Sequence, residues 1–341
     1  MKKYLSLFIA IIMVLTVFSS CKGAQRTDDG TEPTTPQAEK LNIVVTVFPE
    51  YSWVRALLGD LSKTADITLL LDSGVDLHSY QPTADDIVKI NSCDMFVYIG
   101  GESDAWVENV LKQNANPDAQ VINLISAIGD RAKNEVLLEG MEEHEHDEDH
   151  DEDHDEDHDD HDEHEEVDEH IWLSLKNAEL CCDAIAKGLS AIDAENSAVY
   201  AANLESYKAR LRELDAKYAQ TVSSAKTKTL LFCDRYPFGY LADDYSLTCY
   251  AAFSGCSAET EASFETVSFL TSKLDELGLD NVIIIEGSSN KKLAETVISG
   301  TKAKAQKILV LNSLQSVTNV NDVDYISVME DNLKVIAEAL G

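Results

Sequence analysis

The chain is short of positive charge. It has 27 Lys and Arg against 62 Asp and Glu, which gives a formal net charge of −35. Proteins that bind nucleic acid contact its phosphates with clusters of Lys and Arg, so we expect no nucleic-acid partner. The deficit is uneven, because residues 142–169 hold twenty acidic residues and no Lys or Arg, and supply −20 of the total.

Several motifs of enzymes and cofactor sites are also missing. No HExxH, GxSxG or GxxxxGK[ST] occurs, so zinc-peptidase, serine-hydrolase and phosphate-loop chemistry have no support. We therefore expect a protein that is not an enzyme, with a metallohydrolase as a weaker alternative, and one that does not itself hydrolyse ATP. Because the sequence has no CxxC, it gives little support for a thioredoxin-like centre or for a thiolate zinc site.

The first twenty residues read as an export signal. Two lysines precede an apolar run that ends at Phe18, shorter than the ~20 residues that a membrane-spanning helix needs. Two serines and Cys21 follow, which resembles the lipobox where bacterial lipoproteins are cleaved and acylated. We expect Cys21 to anchor the protein to the outer face of the cytoplasmic membrane, in the periplasm or at the cell surface, with residues 21–39 as a flexible tether.

Six other cysteines lie in a compartment that permits disulfides, although their spacing assigns no pair. They are Cys93, Cys181, Cys182, Cys233, Cys249 and Cys256.

Short β-branched runs alternate with helix-periodic segments in two batches, a pattern typical of parallel βαβ units. The predicted strands of the first batch are Asn42–Phe48, Asp66–Leu70, Asp94–Ile99 and Gln120–Leu124. Those of the second are Lys228–Cys233, Leu247–Phe253, Asn281–Glu286 and Lys307–Leu311. We predict an α/β protein with two four-stranded parallel-sheet lobes and a ligand site in the cleft where strand ends face each other.

One long helix is predicted between the two batches. Residues 194–225 lack Gly and Pro and carry apolar residues at helical spacing. We expect this helix to form a spine between an N-terminal lobe, residues 40–193, and a C-terminal lobe, residues 226–341. A spine on the order of 45 Å long would allow only limited hinging.

All nine histidines fall in three places: His78, seven between His144 and His164, and His170. His78 lies in a loop after the second predicted strand, and His170 stands before a predicted helix. Either residue alone is more often structural or exposed than a metal ligand. A loop imidazole at the C-terminal end of a strand, as at His78, is well placed to be a ligand, and the local sequence around both histidines makes both of them candidates.

The surroundings of both histidines resemble one family. Leu71–Asp86 reads LDSGVDLHSYQPTADD and is similar to a G-V-D-P-H-S-Y-E-P-T segment, while His170–Asn177 reads HIWLSLKN and is similar to D-P-H-I-W-L-S-P. These segments belong to the cluster A-I metal-binding proteins of bacterial ABC importers, the ZnuA/TroA-like zinc- and manganese-binding lipoproteins. The resemblance continues over essentially all of residues 41–341.

This resemblance implies a mononuclear site with two histidines from the N-terminal lobe and two ligands from the C-terminal lobe. The C-terminal match is weaker, because Arg235 stands at the third ligand position and cannot ligate. Asp234 takes that position if one residue is inserted there. The fourth position reads Asn312, so weaker candidates remain open, with water as a further possibility. These weaker candidates are Glu286, Asn312, Glu259 and Glu261.

The acidic segment that precedes His170 combines carboxylates with imidazoles, both of which bind divalent cations. Its strong self-repulsion predicts disorder. We expect it to collect metal ions weakly, although a solvated charge run without a role would look the same. Its histidines are His144, His146, His150, His154, His158, His161 and His164.

Together these features predict the substrate-binding lipoprotein of an ABC importer, which captures Zn²⁺, or alternatively Mn²⁺. The histidine-rich segment favours zinc, whereas the carboxylates of the C-terminal lobe favour manganese. The expected partners are an ABC permease, a separate ATPase and, through the anchor, the membrane; we expect a monomer. The alternative function is a surface metal-buffering or adhesive lipoprotein without a transporter.

Overall fold

The computed structural model describes residues 40–72, 74–75, 77–112, 116–141, 166–257, 261–287 and 291–341. The predicted export signal, Cys21, the tether and the seven histidines of the acidic segment lie outside these ranges. The predictions on them therefore remain predictions.

Eight strands form two four-stranded sheets within the described ranges, and every strand pair is parallel. The first sheet has the order β2-β1-β3-β4, and the second has the order β6-β5-β7-β8. The strands are β1 Asn42–Val45, β2 Asp66–Leu69, β3 Met95–Tyr98, β4 Gln120–Asn123, β5 Thr229–Tyr236, β6 Thr248–Ser254, β7 Asn281–Ile285 and β8 Lys307–Leu311. Each overlaps a predicted strand, and the α/β class with two parallel sheets is confirmed.

Ten α-helices accompany the strands in the described ranges. They are α1 Phe48–Leu58, α2 Ala84–Ser92, α3 Trp106–Leu111, α4 Leu124–Ile128, α5 Leu175–Ile192, α6 Ser197–Ser224, α7 Gly239–Tyr245, α8 Phe264–Leu277, α9 Lys291–Gly300 and α10 Tyr325–Leu340. None of these helices is long and apolar enough to cross a bilayer.

The first predicted strand was too long, because it ends at Val45 and helix α1 begins at Phe48. The Glu50 carboxylate accepts hydrogen bonds from the backbone N–H groups of Thr46, at 2.7 Å, and Val47, at 3.2 Å. These bonds satisfy amide groups at the helix start that have no partner within the helix. The chain therefore turns into α1 as soon as it leaves the sheet.

Helix α6 is the predicted spine, with 28 residues, and it starts at Ser197 because residues Ala194–Asn196 form a 3₁₀ turn. Its buried side chains recur at helical spacing. They are Tyr200, Tyr207, Leu211, Leu214, Tyr218 and Val222. This stripe packs against α5 and α1 from the first half of the chain and against α10 from the second half.

One hydrophobic core contains residues of both halves, from Ile43 to Leu340, and a smaller cluster lies between β5, β6, β7 and helices α8 and α9. The six cysteines in the described part of the chain are free thiols. Five of them are buried, and Cys256 is only partly buried.

Candidate metal site

His78 lies in the short 3₁₀ turn Leu77–Ser79, in the loop between β2 and α2. Its side chain is 13% exposed. Nδ1 lies 2.9 Å from the Ser103 hydroxyl oxygen and 3.4 Å from Oε2 of Glu169. Because a carboxylate lies on that side, we assign the proton to Nδ1, which leaves a lone pair on Nε2.

His170 is fully buried and directly precedes the 3₁₀ turn Ile171–Leu173, which leads into α5. Its Nδ1 lies 2.8 Å from Oδ1 of Asp168. The backbone N–H of His170 donates to the same oxygen at 2.9 Å. Asp168 therefore fixes both the ring orientation and the tautomer in which Nε2 presents a lone pair.

The two imidazoles point their Nε2 atoms at each other, 3.4 Å apart, with the ring planes inclined at 57°. A tetrahedral zinc ion with Zn–N bonds of about 2.0–2.1 Å separates two nitrogen ligands by roughly 3.3 Å. The fold thus brings together the two histidines that the sequence singled out, 92 residues apart, at a spacing that suits one ion. Their role as ligands remains a prediction.

Glu169 is a buried carboxylate that lies against Nδ1 of His78. Its Oε1 accepts a 2.7 Å hydrogen bond from the backbone N–H of Ser103. Burial acts to raise the pKa of Glu169, but the hydrogen bonds from His78 and Ser103 outweigh it and hold the pKa below its ordinary value. Gly101 has a φ of 87°, and a Cβ there would collide with this carboxylate. A negative charge therefore persists beside His78.

Two further buried carboxyls lie near this site. Burial, together with the charge of Glu169, raises the pKa of Asp104 to about 7, although its Oδ2 accepts a 2.9 Å hydrogen bond from the backbone N–H of Gly100. Burial, followed by the charge of Asp104, raises the pKa of Glu50 well above its ordinary value. Glu50 and Asp104 accept hydrogen bonds from the backbone of the loops that follow β1 and β3, respectively.

Gln315 belongs to the site, although no sequence feature indicated it. It follows β8 and is 3% exposed. Its Nε2 lies 2.8 Å from Nε2 of His170 and 3.2 Å from Nε2 of His78. The amide NH₂ has two hydrogens, one for each imidazole lone pair. It therefore contacts the two nitrogens that a shared metal ion would contact.

Cys256 also lies at the site. The ligand atoms of His78, His170 and Cys256 lie within 4.8 Å of one another, and within the described ranges no other group of three or more His, Cys, Asp or Glu side chains is placed to hold an ion. Burial, with the charges of Glu135 and Glu169, raises the pKa of the thiol. The fold thus brings a cysteine sulfur close to the two histidines although the sequence has no CxxC motif. No local motif could indicate this, because the three residues lie far apart in the sequence.

Asp234, the preferred third ligand, makes backbone contacts instead. Its Oδ1 accepts a 2.8 Å hydrogen bond from the N–H of Arg235, and its Oδ2 accepts a 3.0 Å hydrogen bond from the N–H of Ile285. It lies where the register between β5 and β6 shifts. The carboxylate accepts hydrogen bonds from amide groups at this irregularity, and Asp234 is not in the group that His78, His170 and Cys256 form, so its role as a ligand remains a prediction.

Glu286 and Asn312, at the ends of β7 and β8, shape the turn that carries Gln315. Glu286 accepts hydrogen bonds from N and Oγ of Ser313, at 2.5 and 2.6 Å. Asn312 Oδ1 accepts a 2.8 Å bond from the N–H of Leu314, whose φ is 61°. Burial raises the pKa of Glu286, while the hydrogen bonds from Ser313 and the charge of Arg235 oppose that rise. Both candidates thus position the residue between the histidines.

The other candidates are not part of the group that His78 forms. Glu261 is exposed, ahead of α8. Glu259 and the histidines of the acidic segment lie outside the described residues. The chain re-enters the described part at Glu166, which lines a cavity of about 260 Å³ together with His78 and Cys256.

Comparison with known proteins identifies the family of the chain. Residues 43–339 match the family model of the zinc-uptake complex component A, a periplasmic protein. The high-affinity zinc uptake system protein ZnuA of Bacillus subtilis is 30% identical over 343 residues, which cover 99% of this chain and 98% of that protein. The zinc-binding lipoprotein AdcA of Streptococcus pneumoniae is 34% identical over 305 residues, but the chain spans only 56% of its length.

Solved structures show the same fold. The Zn(II)-bound ZnuA-like domain of S. pneumoniae AdcA aligns with a TM-score of 0.66 at 30% identity, covering 88% of this chain and 99% of that domain. The metal-dependent lipoprotein YcdH of B. subtilis aligns with a TM-score of 0.68 at 27% identity, covering 88% of this chain and 99% of that one.

Proposed function

Because this chain belongs to the family of zinc-uptake complex component A proteins, we propose that it is the substrate-binding protein of a zinc ABC importer. It captures Zn²⁺ outside the cytoplasm and delivers it to a membrane permease. The transport energy comes from a separate ATPase, because the chain has no phosphate-binding loop.

One observation carries this proposal: the Nε2 atoms of His78 and His170 face each other at 3.4 Å. The Nδ1 atom of each imidazole faces an acidic side chain, Glu169 for His78 and Asp168 for His170. Carboxylate–histidine–metal arrangements of this kind make imidazole a better ligand and orient it before the ion arrives. The site is therefore preorganised for a transition-metal dication.

The ligand chemistry favours zinc over manganese. Imidazole suits Zn²⁺, whereas Mn²⁺ prefers carboxylate and other oxygen ligands. The carboxylates that made manganese an alternative, Asp234 and Glu286, hold backbone groups in this fold. With those oxygens engaged, the ligands that remain near the histidine pair suit zinc.

The proposed location is the outer face of the cytoplasmic membrane, with Cys21 lipidated. The export-like start of the sequence supports it, as does the relative in S. pneumoniae that is described as a lipoprotein. The acidic histidine segment is proposed to supply weakly bound ions to the tight site. It rejoins the described fold at Glu166, on the cavity that His78 lines.

Calorimetric titration of Zn²⁺ and Mn²⁺ into the metal-stripped protein tests the proposal. A companion variant lacks residues 142–165 and retains Glu166, whose carbonyl accepts a 2.8 Å hydrogen bond from the N–H of Glu135. We expect one tight zinc site in both proteins, weaker sites only in the full chain, and much weaker manganese binding.

His78→Ala and His170→Ala should each weaken the tight site by orders of magnitude. Asn91→Ala, away from the site on α2, serves as the control. Tight zinc binding that survives both histidine substitutions would contradict the proposed site, and tighter binding of manganese than of zinc would contradict the proposed substrate.

A further inference from the structure

We infer that the thiolate of Cys256 is the third protein ligand of the zinc ion, which makes this a His₂Cys site. The inference rests on the proposed function, because it names the atoms that hold the proposed substrate. It also alters the ligand set that the sequence suggested, which consisted of histidines and carboxylates or amides.

Distances support this assignment. In a tetrahedral zinc site with Zn–N of about 2.0–2.1 Å and Zn–S of about 2.3 Å, nitrogen and sulfur ligands lie roughly 3.6 Å apart. The sulfur of Cys256 lies within 4.8 Å of the ligand nitrogens of His78 and His170. The sulfur therefore has to move by about 1.2 Å at most to complete the geometry, which a change in the Cys256 side-chain torsion can supply.

The loop that carries Cys256 is built for close approach to the histidines. Gly255 precedes it, and a Cβ at that position would lie 3.0 Å from Cε1 of His170, from Oε1 of Glu135 and from the carbonyl oxygen of Tyr236. A side chain at this position would therefore require His170, Glu135 or the loop itself to shift by a few tenths of an ångström. The N–H of Cys256 donates to Oε1 of Glu135 at 2.9 Å, which anchors the loop in that position.

Cys256 differs from the other five described cysteines in its surroundings. Those five are buried, whereas Cys256 is partly exposed and lines the same 260 Å³ cavity as His78 and Ser103. A cation that enters this cavity meets the sulfur and the imidazole of His78. A cysteine that only packs in the core does not need its sulfur to face a cavity that ions can enter.

The charge of the site also agrees with a sulfur ligand. Asp234 and Glu286 bond to backbone groups, and Gln315 is neutral, so these C-terminal side chains bring no free carboxylate to the ion. A metal-bound cysteine loses its proton to solvent and becomes a thiolate, which places one negative charge directly on Zn²⁺. Thiolate is a soft ligand and selects zinc over manganese.

Zinc K-edge X-ray absorption on the full chain, loaded with less than one equivalent of Zn²⁺, tests the assignment. The acidic segment offers nitrogen and oxygen ligands but no sulfur. We expect one sulfur neighbour at about 2.3 Å beside nitrogen neighbours at about 2.0–2.1 Å. Cys256→Ser should remove the sulfur signal and weaken tight binding by more than the roughly 10–100-fold that loss of an outer partner costs.

Cys249→Ala, on strand β6, which ends two residues before Cys256, is the control and should retain the sulfur signal. If the unmodified protein binds zinc tightly and shows only nitrogen and oxygen neighbours, Cys256 is not a ligand, while the proposed function stands. If the unmodified protein has no tight zinc site, both ideas fail.

A second measurement remains decisive if Cys256→Ser does not fold. Alkylation of the unmodified protein, followed by peptide mass spectrometry, reports the reactivity of Cys256 separately from that of the other thiols. Zinc should slow its alkylation at least tenfold. An unchanged rate at saturating zinc would overturn the assignment.

Discussion

Asp168 Oδ1 accepts two hydrogen bonds from one residue, from the backbone N–H of His170 at 2.9 Å and from its Nδ1 at 2.8 Å. The carboxylate thus fixes the chain and the ring of His170 together. Asp168 also meets the C-terminal half, where its carbonyl oxygen accepts a 3.0 Å hydrogen bond from the Tyr240 hydroxyl. The orientation of one candidate ligand therefore depends on contact between the two halves.

The first prediction concerns that carboxylate. Asp168→Asn preserves an oxygen acceptor but removes the charge that makes the imidazole a stronger ligand, so zinc affinity should fall by about 10-fold or more. Competition with a chelator measures the change. Asp60→Asn, which alters an exposed carboxylate that pairs with Lys63, should leave affinity unchanged. Equal affinities in the two variants would contradict the orienting role.

The second prediction concerns Gln315, whose amide satisfies both imidazole lone pairs. Gln315→Glu removes that donor and adds an oxygen ligand. The metal-free protein should therefore melt at a lower temperature than the unmodified protein, while the zinc-loaded variant should gain affinity. Calorimetry and thermal melts with and without zinc measure both effects. A variant that is equally stable without metal would show that the Gln315 contacts contribute nothing to the empty site.

The third prediction concerns pH. Burial raises the pKa of Asp104 from 3.8 to about 7 in the folded protein. Between these values the unfolded chain has lost the proton and the folded protein retains it, so this group stabilises the fold fully below pH 3.8 and loses that contribution as pH rises towards 7.

Asp104→Asn removes this dependence. Its free energy of unfolding minus that of the unmodified protein should rise by roughly 4 kcal/mol from pH 4 to pH 8, most of it below pH 7. Urea titrations at several pH values give the difference, in which contributions of the acidic segment cancel. A difference that stays flat with pH would mean that Asp104 is ionised in the fold.

The fourth prediction concerns the contact between α10 and the turn after His170. The Tyr325 hydroxyl donates to the carbonyl oxygen of Trp172 at 2.6 Å, and both residues are fully buried. Tyr325→Phe leaves that carbonyl without this donor, which should cost about 1–3 kcal/mol of unfolding free energy. Tyr51→Phe, which removes an exposed 3.4 Å hydrogen bond to Asn321, should cost far less. Equal losses in urea titrations would refute the difference.

Local patterns were sufficient for much of the fold. All eight strands overlap their predicted segments, because buried parallel strands are short and rich in β-branched residues. His78 and His170 were recognisable since each lies in a distinctive local sequence. Segment ends were less accurate, as at Val45, where the side chain of Glu50 determines where the helix begins.

The C-terminal side of the site was not predictable in the same way. Gln315 and Cys256 are ordinary residues in loops, and their closeness to the histidines depends on two strands that lie far apart in sequence. Asp234 carried the chemistry of a ligand, but an irregularity in β5 turns its oxygens to backbone amides. Side-chain direction at such a point depends on tertiary pairing, which spacing along the chain does not encode.

Helix α10 packs on α1, where the N–H of Tyr325 donates to the hydroxyl of Ser52 and its ring lies 5.2 Å from that of Trp53. Helix α10, which is sixteen residues long, therefore covers a hydrophobic core to which the first strand also belongs. A chain still emerging from a ribosome or a translocation channel holds an open core until helix α10 is free to pack. A stop codon before residue 325 would thus leave neither half finished, rather than one intact half.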